Sequence, residues 1–234
     1  MYDRKQIEKN YCETMERIGR AATKSGRQPE EITLVTVSKT IPSEVVNWVI
    51  QAGARTLGES RGQELLEKYD QLQQPNDLRI HFIGHLQTNK VKQIVSLVDV
   101  IESVESERLV KEIDRQCQAI GKKMDIFIQV KVLHDPNKFG ILPEELDAFL
   151  QKMGAYPNIC VTGLMAIAPL WAGEAEKRDC FSQLRKLFID TKDKKYDNVN
   201  MSFLSMGMSS DFETAIEEGA NVVRVGTFIF GERK

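Results

Sequence analysis

The chain has 234 residues, about one and a half times the usual length per domain, enough for one large core or two small ones. Its 28% charged and 41% hydrophobic residues exclude a disordered tail protein, a collagen-like fibre and a disulfide scaffold. With 32 Lys+Arg against 34 Asp+Glu and a net charge of -2, no global basic field exists to draw in a nucleic-acid backbone, and a small-molecule partner is expected instead.

From Asp3 to about Arg20, Ile7, Tyr11, Met15 and Ile18 recur at helical spacing and predict a leading helix. After the turn-like Ser25–Pro29, the β-branched run Ile32–Val37 predicts a buried strand that stops at Ser38-Lys39-Thr40. Pro42 and Ser43 open a helix whose Val45, Val46, Val49 and Ile50 share one face, closed by Gly53 before a short strand around Arg55 to Leu57. Further strands are predicted at Arg79 to Ile83, Val98 to Ile101, Asp125 to Val132, Ile159 to Leu164, Met201 to Leu204 and Val222 to Val225. Helical runs lie between them, clearest at Leu109, Ile113, Cys117 and Ile120 and at Phe181, Leu184, Leu187 and Phe188. Eight strands alternating with helices imply parallel pairing through right-handed crossovers. The expectation is a single (β/α)8 TIM barrel over 1–234 with an extra N-terminal helix, a doubly wound open sheet being the alternative. The polar stretch Asp190 to Asn200 reads as a helix end and loop, and its run Lys192 to Lys195 as a solvated face.

No run reaches the roughly eighteen apolar residues a membrane span needs, and Met1 to Lys5 leads into a charged helix, so a cytoplasmic protein without membrane contact is expected. Cys12, Cys117, Cys160 and Cys180 form no C-x-x-C pair and read as reduced core residues. Asn200-Met201-Ser202 matches a glycosylation triplet, which in a cytoplasmic chain is chance. Nothing in the hydrophobic pattern demands an oligomer, so a monomer is expected.

In a closed barrel the working face is built after the C-terminal ends of the strands. Those segments carry Lys39, Gly58-Glu59-Ser60-Arg61, Gly84 to Lys90, Lys138-Phe139-Gly140, Met165-Ala166, Ser205 to Ser209 and Gly226-Thr227. The last two follow strands seven and eight, where many barrels hold a phosphate on backbone N–H groups. Ser209 and Thr227 could add hydroxyl donors there; Ser210 and Glu213 could form a capping box, and both can hold at once. An amine at Lys39, desolvated at the barrel mouth, would suit Schiff-base chemistry, although most lysines after strands are solvated surface groups. Arg224 lies inside the last apolar strand and must meet a carboxylate, a ligand or the mouth. His81, His85 and His134 lack metal-ligand spacing; His81 reads as a strand-edge residue and His134 as a loop residue. The sequence contains no H-E-x-x-H, G-x-S-x-G, Walker loop or G-x-G-x-x-G pattern.

Taken together, Val35 to Thr40, Gly58-Glu59-Ser60, His81 to Lys90, Gly163 to Ile167, Leu204 to Asp211 and Val223 to Gly231 resemble the YggS/PROSC-type pyridoxal 5'-phosphate-binding (pyridoxal phosphate homeostasis) proteins over nearly the whole chain. The resemblance implies an alanine-racemase-like barrel in which Lys39 holds the cofactor as an aldimine. It places Ser209, Gly226 and Thr227 around the phosphate, Arg224 beside the pyridine nitrogen and Met165 near the ring. Ser60 stands where the family usually has Asn, so altered affinity rather than lost binding is expected. An arginine can only donate to an unprotonated ring nitrogen, which mutes carbanion chemistry. Racemases of this type take their second acid/base from an additional C-terminal β-domain, which is expected to be missing from a chain ending at Lys234.

The function implied is vitamin B6 homeostasis, with pyridoxal phosphate as cofactor, recipient apo-enzymes or amino acids as partners, and no metal, nucleic acid or catalytic turnover. The alternatives are a pyridoxal-phosphate-dependent amino-acid racemase or lyase, a cofactor-free barrel enzyme using Lys39 as an aldolase-like Schiff base, and a regulatory module that senses cofactor supply. Lys90 and Lys138 are candidates for a second cofactor or transfer site.

Overall fold

In the computed structural model, which describes residues 2–133, 139–169 and 171–232, the Asp3 side chain caps the first helix by accepting a hydrogen bond from the Gln6 N–H at 3.3 Å. That helix, α1 (Arg4–Lys24), runs one turn past the expected end, because Ala21 and Ala22 are buried too, though too small to register in the periodicity. Met15 is exposed rather than on the buried face. Thr14 fills that face instead, its hydroxyl donating back to the Asn10 carbonyl at 2.7 Å.

The strands β1 (Thr33–Val37), β2 (Thr56–Glu59), β3 (Arg79–Phe82), β4 (Val100–Val104), β5 (Met124–Gln129), β6 (Ile159–Met165), β7 (Val199–Met208) and β8 (Val222–Val225) form a closed barrel in chain order, every pair parallel, with β1 returning to β8. Closure decides against the open doubly wound sheet. The helices between them are α2 (Ser43–Gln51), α3 (Gly62–Lys68), α4 (Val91–Ile94), α5 (Glu107–Ala119), α6 (Leu146–Leu150), α7 (Glu174–Lys192) and α8 (Phe212–Glu217), and α9 (Thr227–Phe230) follows the last strand.

Period-two alternation sorts the side chains. Leu34, Leu57, Ile80 and Ile101 join the large core under the helices, whose contributions include Val45, Val46, Val49 and Ile50 of α2 and Leu109, Ile113 and Cys117 of α5. Ile120, read as part of the α5 face, lies just past the helix end and is half exposed. A separate cluster, Val35, Phe127, Met165 and Val222 with Ile83, Val100 and Ile167 against it, fills the barrel interior.

Among the strands that extend beyond the apolar runs that predict them are β4 and β7. β4 continues through Glu102 and Ser103, and β7 through Ser205-Met206-Gly207-Met208, a segment the sequence reading puts in a loop. In both places buried polar side chains interrupt the hydrophobic pattern while the backbone ladder carries on. Gly207 takes φ +89, and a Cβ there would sit 2.5 Å from the Ala215 Cβ of α8, so only glycine fits the turn onto that helix.

The capping box at the same turn does not form. Asp211, not Ser210, is the N-cap of α8, and its carboxylate accepts the Met208 N–H at 2.6 Å. Glu213 turns away to Arg17 of α1, whose guanidinium also lies over the rings of Phe212 and Phe228. This contact seats the N-terminal helix against α8 and α9. All four cysteines are free thiols; Cys117 and Cys180 are buried, but Cys12 is exposed and Cys160 half-buried, so only two are the core residues expected. Burial pushes the thiols of Cys117 and Cys180 up to about 11 and about 12, which keeps them protonated. Among the described residues no helix is long and apolar enough to cross a membrane.

Candidate functional site at the barrel mouth

Lys39 lies two residues beyond β1, on the inward parity of Thr33, Val35 and Val37, and is half-buried. Its neighbours on both sides are tied down by groups that sequence reasoning missed. Lys68, at the end of α3 and buried, donates to the Ser38 carbonyl at 2.8 Å and pairs with Glu59 at 2.7 Å and Glu64 at 2.9 Å. The Ser38 hydroxyl donates to Glu59 at 2.6 Å, and Glu64 accepts the Thr40 N–H. Thr40 itself is held at φ 65, a left-handed value uncommon for threonine. Burial pushes the Glu59 carboxyl up, opposed by Lys68 and the Ser38 hydroxyl. The result is a clamp that sets the turn carrying Lys39. Its only sequence signal is the Glu64/Lys68 pair at i,i+4.

Ser60 follows β2 beside this clamp. Gly84 is pressed against it so closely that a Cβ at Gly84 would fall 2.3 Å from the Ser60 carbonyl oxygen, which makes the Gly84 glycine a packing requirement of the mouth.

On the strand neighbouring β1, Arg224 of β8 is level with Val35 of β1 and Met208 of β7 and is 4% exposed. One guanidinium nitrogen donates to the Ser205 hydroxyl, the other to the Ala166 carbonyl at 2.8 Å, directly after Met165. The carboxylate that a buried arginine requires is Glu102, 3.7 Å away and fully buried. Glu102 also accepts the Ser205 hydroxyl at 2.6 Å and faces His81 Nδ1 at 2.6 Å. His81 is therefore not at a strand edge but inside the barrel, at the far end of a chain of polar contacts running to Arg224. Burial alone would raise the Glu102 carboxyl; His81, Arg224 and Ser205 outweigh it and hold it below the usual carboxylate value. Burial pulls the Arg224 guanidinium down, Glu102 and Asp211 oppose that, and it remains a cation at biological pH.

Beyond Arg224 toward the mouth, the two small-residue segments meet. Gly226, buried, donates its N–H to the Ser209 hydroxyl at 3.3 Å and is the N-cap of α9, of which Thr227 is the first residue and exposed. Arg224, Met165, Ser209, Gly226 and Thr227 thus gather on one side of the mouth, with Lys39 on the neighbouring strand. The remaining candidates do not join them. Lys90 sits on an exposed 3-10 turn, and His134 and Lys138 lie outside the described residues. The second oxygen of Glu59, Oε2, and Glu105 Oε2 are buried without a hydrogen bond among the described residues. No group of three metal-ligating side chains occurs among the described residues.

Comparison with known proteins places the chain in a family. Residues 28–234 match the family described as alanine racemase, N-terminal domain. A pyridoxal phosphate homeostasis protein of Aquifex aeolicus is 42% identical, covering 96% of this chain and 99% of its own, and one of Pseudomonas aeruginosa is 37% identical over 97% and 96%. The solved structure of PipY from Synechococcus elongatus with PLP bound superposes with a TM-score of 0.81 at 35% identity, covering 92% of this chain and all of that one. An alanine racemase from Clostridium difficile shares the fold, with a TM-score of 0.73 at 14% identity, over 57% of its own length.

Proposed function

The chain belongs to the pyridoxal phosphate homeostasis proteins, and from that membership we propose that it binds pyridoxal 5'-phosphate at the barrel mouth and buffers its supply without turning over a substrate of its own. The residues present fit the group. In this reading the Lys39 amine meets the cofactor's aldehyde, Ser209, Gly226 and Thr227 donate to its phosphate, Met165 packs against its ring, Arg224 donates to its ring nitrogen, and Ser60 borders it. When bound, pyridoxal phosphate supplies an aldehyde that condenses reversibly with amines and a ring that withdraws electrons when its nitrogen is protonated.

The observation that carries the no-turnover reading is the state of Arg224. A guanidinium has only donors, and here it is kept charged by Glu102, so it can hold a ring nitrogen in its unprotonated form but cannot protonate it. That suits retention and transfer better than carbanion chemistry. The clamp of Lys68, Glu59 and Glu64 fixes the backbone beside Lys39, so the amine is presented without a large ordering cost. Recipient apo-enzymes or free amino acids would then take the cofactor by offering a competing amine. The four free thiols fit a reducing cytoplasm, and we assign the whole chain to one cofactor-binding unit acting as a monomer.

Following α-proton exchange of a panel of amino acids in deuterated buffer with the cofactor-loaded protein tests this. No washout above that caused by free pyridoxal phosphate is expected; rapid washout of any one amino acid would instead establish a racemase or lyase.

A further inference from the structure

Four polar side chains cross the interior of the barrel: His81 of β3, Glu102 of β4, Ser205 of β7 and Arg224 of β8. All four are buried, Glu102 and Ser205 completely. Opposite charges in so dry a place attract each other strongly, yet these two do not touch.

A guanidinium and a carboxylate free to approach settle at about 2.8 Å, often through two parallel hydrogen bonds. Arg224 and Glu102 stay 3.7 Å apart. Between them stands the Ser205 hydroxyl, which donates to Glu102 Oε2 at 2.6 Å and accepts from the nearer guanidinium nitrogen. A hydroxyl has one hydrogen to give and lone pairs to receive, so a single serine satisfies both ions at once.

Both ends of this contact are anchored. Glu102 is held as a carboxylate, which can only accept, so its other oxygen takes a hydrogen from His81 Nδ1 at 2.6 Å. The second terminal nitrogen of Arg224 donates to the Ala166 carbonyl at 2.8 Å. A guanidinium carries five N–H donors, and those not spent on Ser205 and Ala166 are left for a ligand. Ser205 is level with Val222, two residues from Arg224 toward the N-terminal end of the barrel. A direct pair would therefore draw the guanidinium down toward the level of Ser205, away from the mouth where Ser209, Gly226 and Thr227 gather.

We infer that Ser205 is a positioning residue for cofactor binding: its hydroxyl holds Glu102 and Arg224 apart, so that the carboxylate supplies counter-charge while the guanidinium stays at the mouth to meet the cofactor's ring nitrogen. Only the last step rests on the cofactor reading. The spacing of the two ions is a property of the protein without cofactor.

Ser205→Ala removes the spacer. In crystals of the cofactor-free variant, the separation between Arg224 and Glu102 should close to about 2.8 Å. In the full-length protein loaded with pyridoxal phosphate isotopically labelled at the ring nitrogen, the variant should move that nitrogen's NMR resonance from its wild-type position as the donated hydrogen is lost. Cofactor affinity should fall about tenfold. The urea midpoint of the cofactor-free variant should match wild type, because the direct pair replaces the two hydrogen bonds lost. The inference is overturned if the ions remain apart in the variant crystals, if the resonance and the affinity are those of wild type, or if a lowered urea midpoint is the only change. A wild-type protein that fails to bind pyridoxal phosphate would sink the cofactor reading instead, and the crystals would still decide whether Ser205 is a spacer.

Discussion

Lys39→Ala is expected to strip the protein of stably bound cofactor. Wild-type protein loaded with pyridoxal phosphate and passed through a desalting column should stay yellow, and the variant should emerge colourless. A reversible covalent contact worth about 2.7 kcal/mol corresponds to about a hundredfold in affinity. What survives should be weak binding through the phosphate, because Ser209, Gly226 and Thr227 are untouched and a phosphate on backbone donors needs no lysine. The fold should not suffer. Lys39 is half-buried, and the turn that carries it is held by Lys68, Glu59 and Glu64. Equilibrium unfolding should therefore agree with wild type to within about 0.5 kcal/mol. A variant that retains colour would remove Lys39 from the site.

The second large effect is expected from Glu102→Ala. Removing this carboxylate leaves Arg224 without the counter-charge 3.7 Å away and His81 without its Nδ1 partner, both inside the barrel. Breaking a buried pair by deleting one partner costs about 3–5 kcal/mol, a large fraction of a typical domain's stability. Urea unfolding should show that loss as a lowered midpoint. Glu102→Gln, which keeps a hydrogen-bond acceptor, should lose less.

The pH dependence follows from the sign of the shift. The folded carboxyl is held below its unfolded value of about 4.3, so the folded state binds fewer protons there. The contribution is present above that value and disappears as pH falls through the folded one. The gap between wild type and Glu102→Gln should accordingly be constant near neutrality and shrink below about pH 4.3. A gap that instead widened on acidification would mean that Glu102 is protonated in the folded protein and does not balance Arg224.

The barrel was legible because its outer strand faces and helix faces are apolar and periodic, as at Val45 to Ile50 or Val222 to Val225. The limits of β4 and β7 were not, since Glu102 and Ser205 look like loop residues until each is seen to meet the other. These partners are 103 residues apart in sequence, and no local pattern encodes such a pairing. His81 was misread for the same reason: its partner is on the next strand, and an isolated histidine in a short run carries no sign of which way it faces.

The site divides along a similar line. Lys39, Ser209, Gly226, Thr227, Met165, Arg224 and Ser60 came from segments whose order and wording resemble a family, with physics supplying only the need for small residues near an anion and for a partner to Arg224. The clamp around Lys39 was invisible because Lys68 reads as an ordinary helix-end lysine. Its burial depends on Ser38 and Glu59 arriving from two other elements.

The most direct measurement is peptide mapping by mass spectrometry after the loaded protein is reduced with borohydride. The account predicts one pyridoxyl-phosphate adduct per chain, on the peptide containing Lys39. An adduct on another lysine with Lys39 unmodified, or no adduct at all, would contradict it.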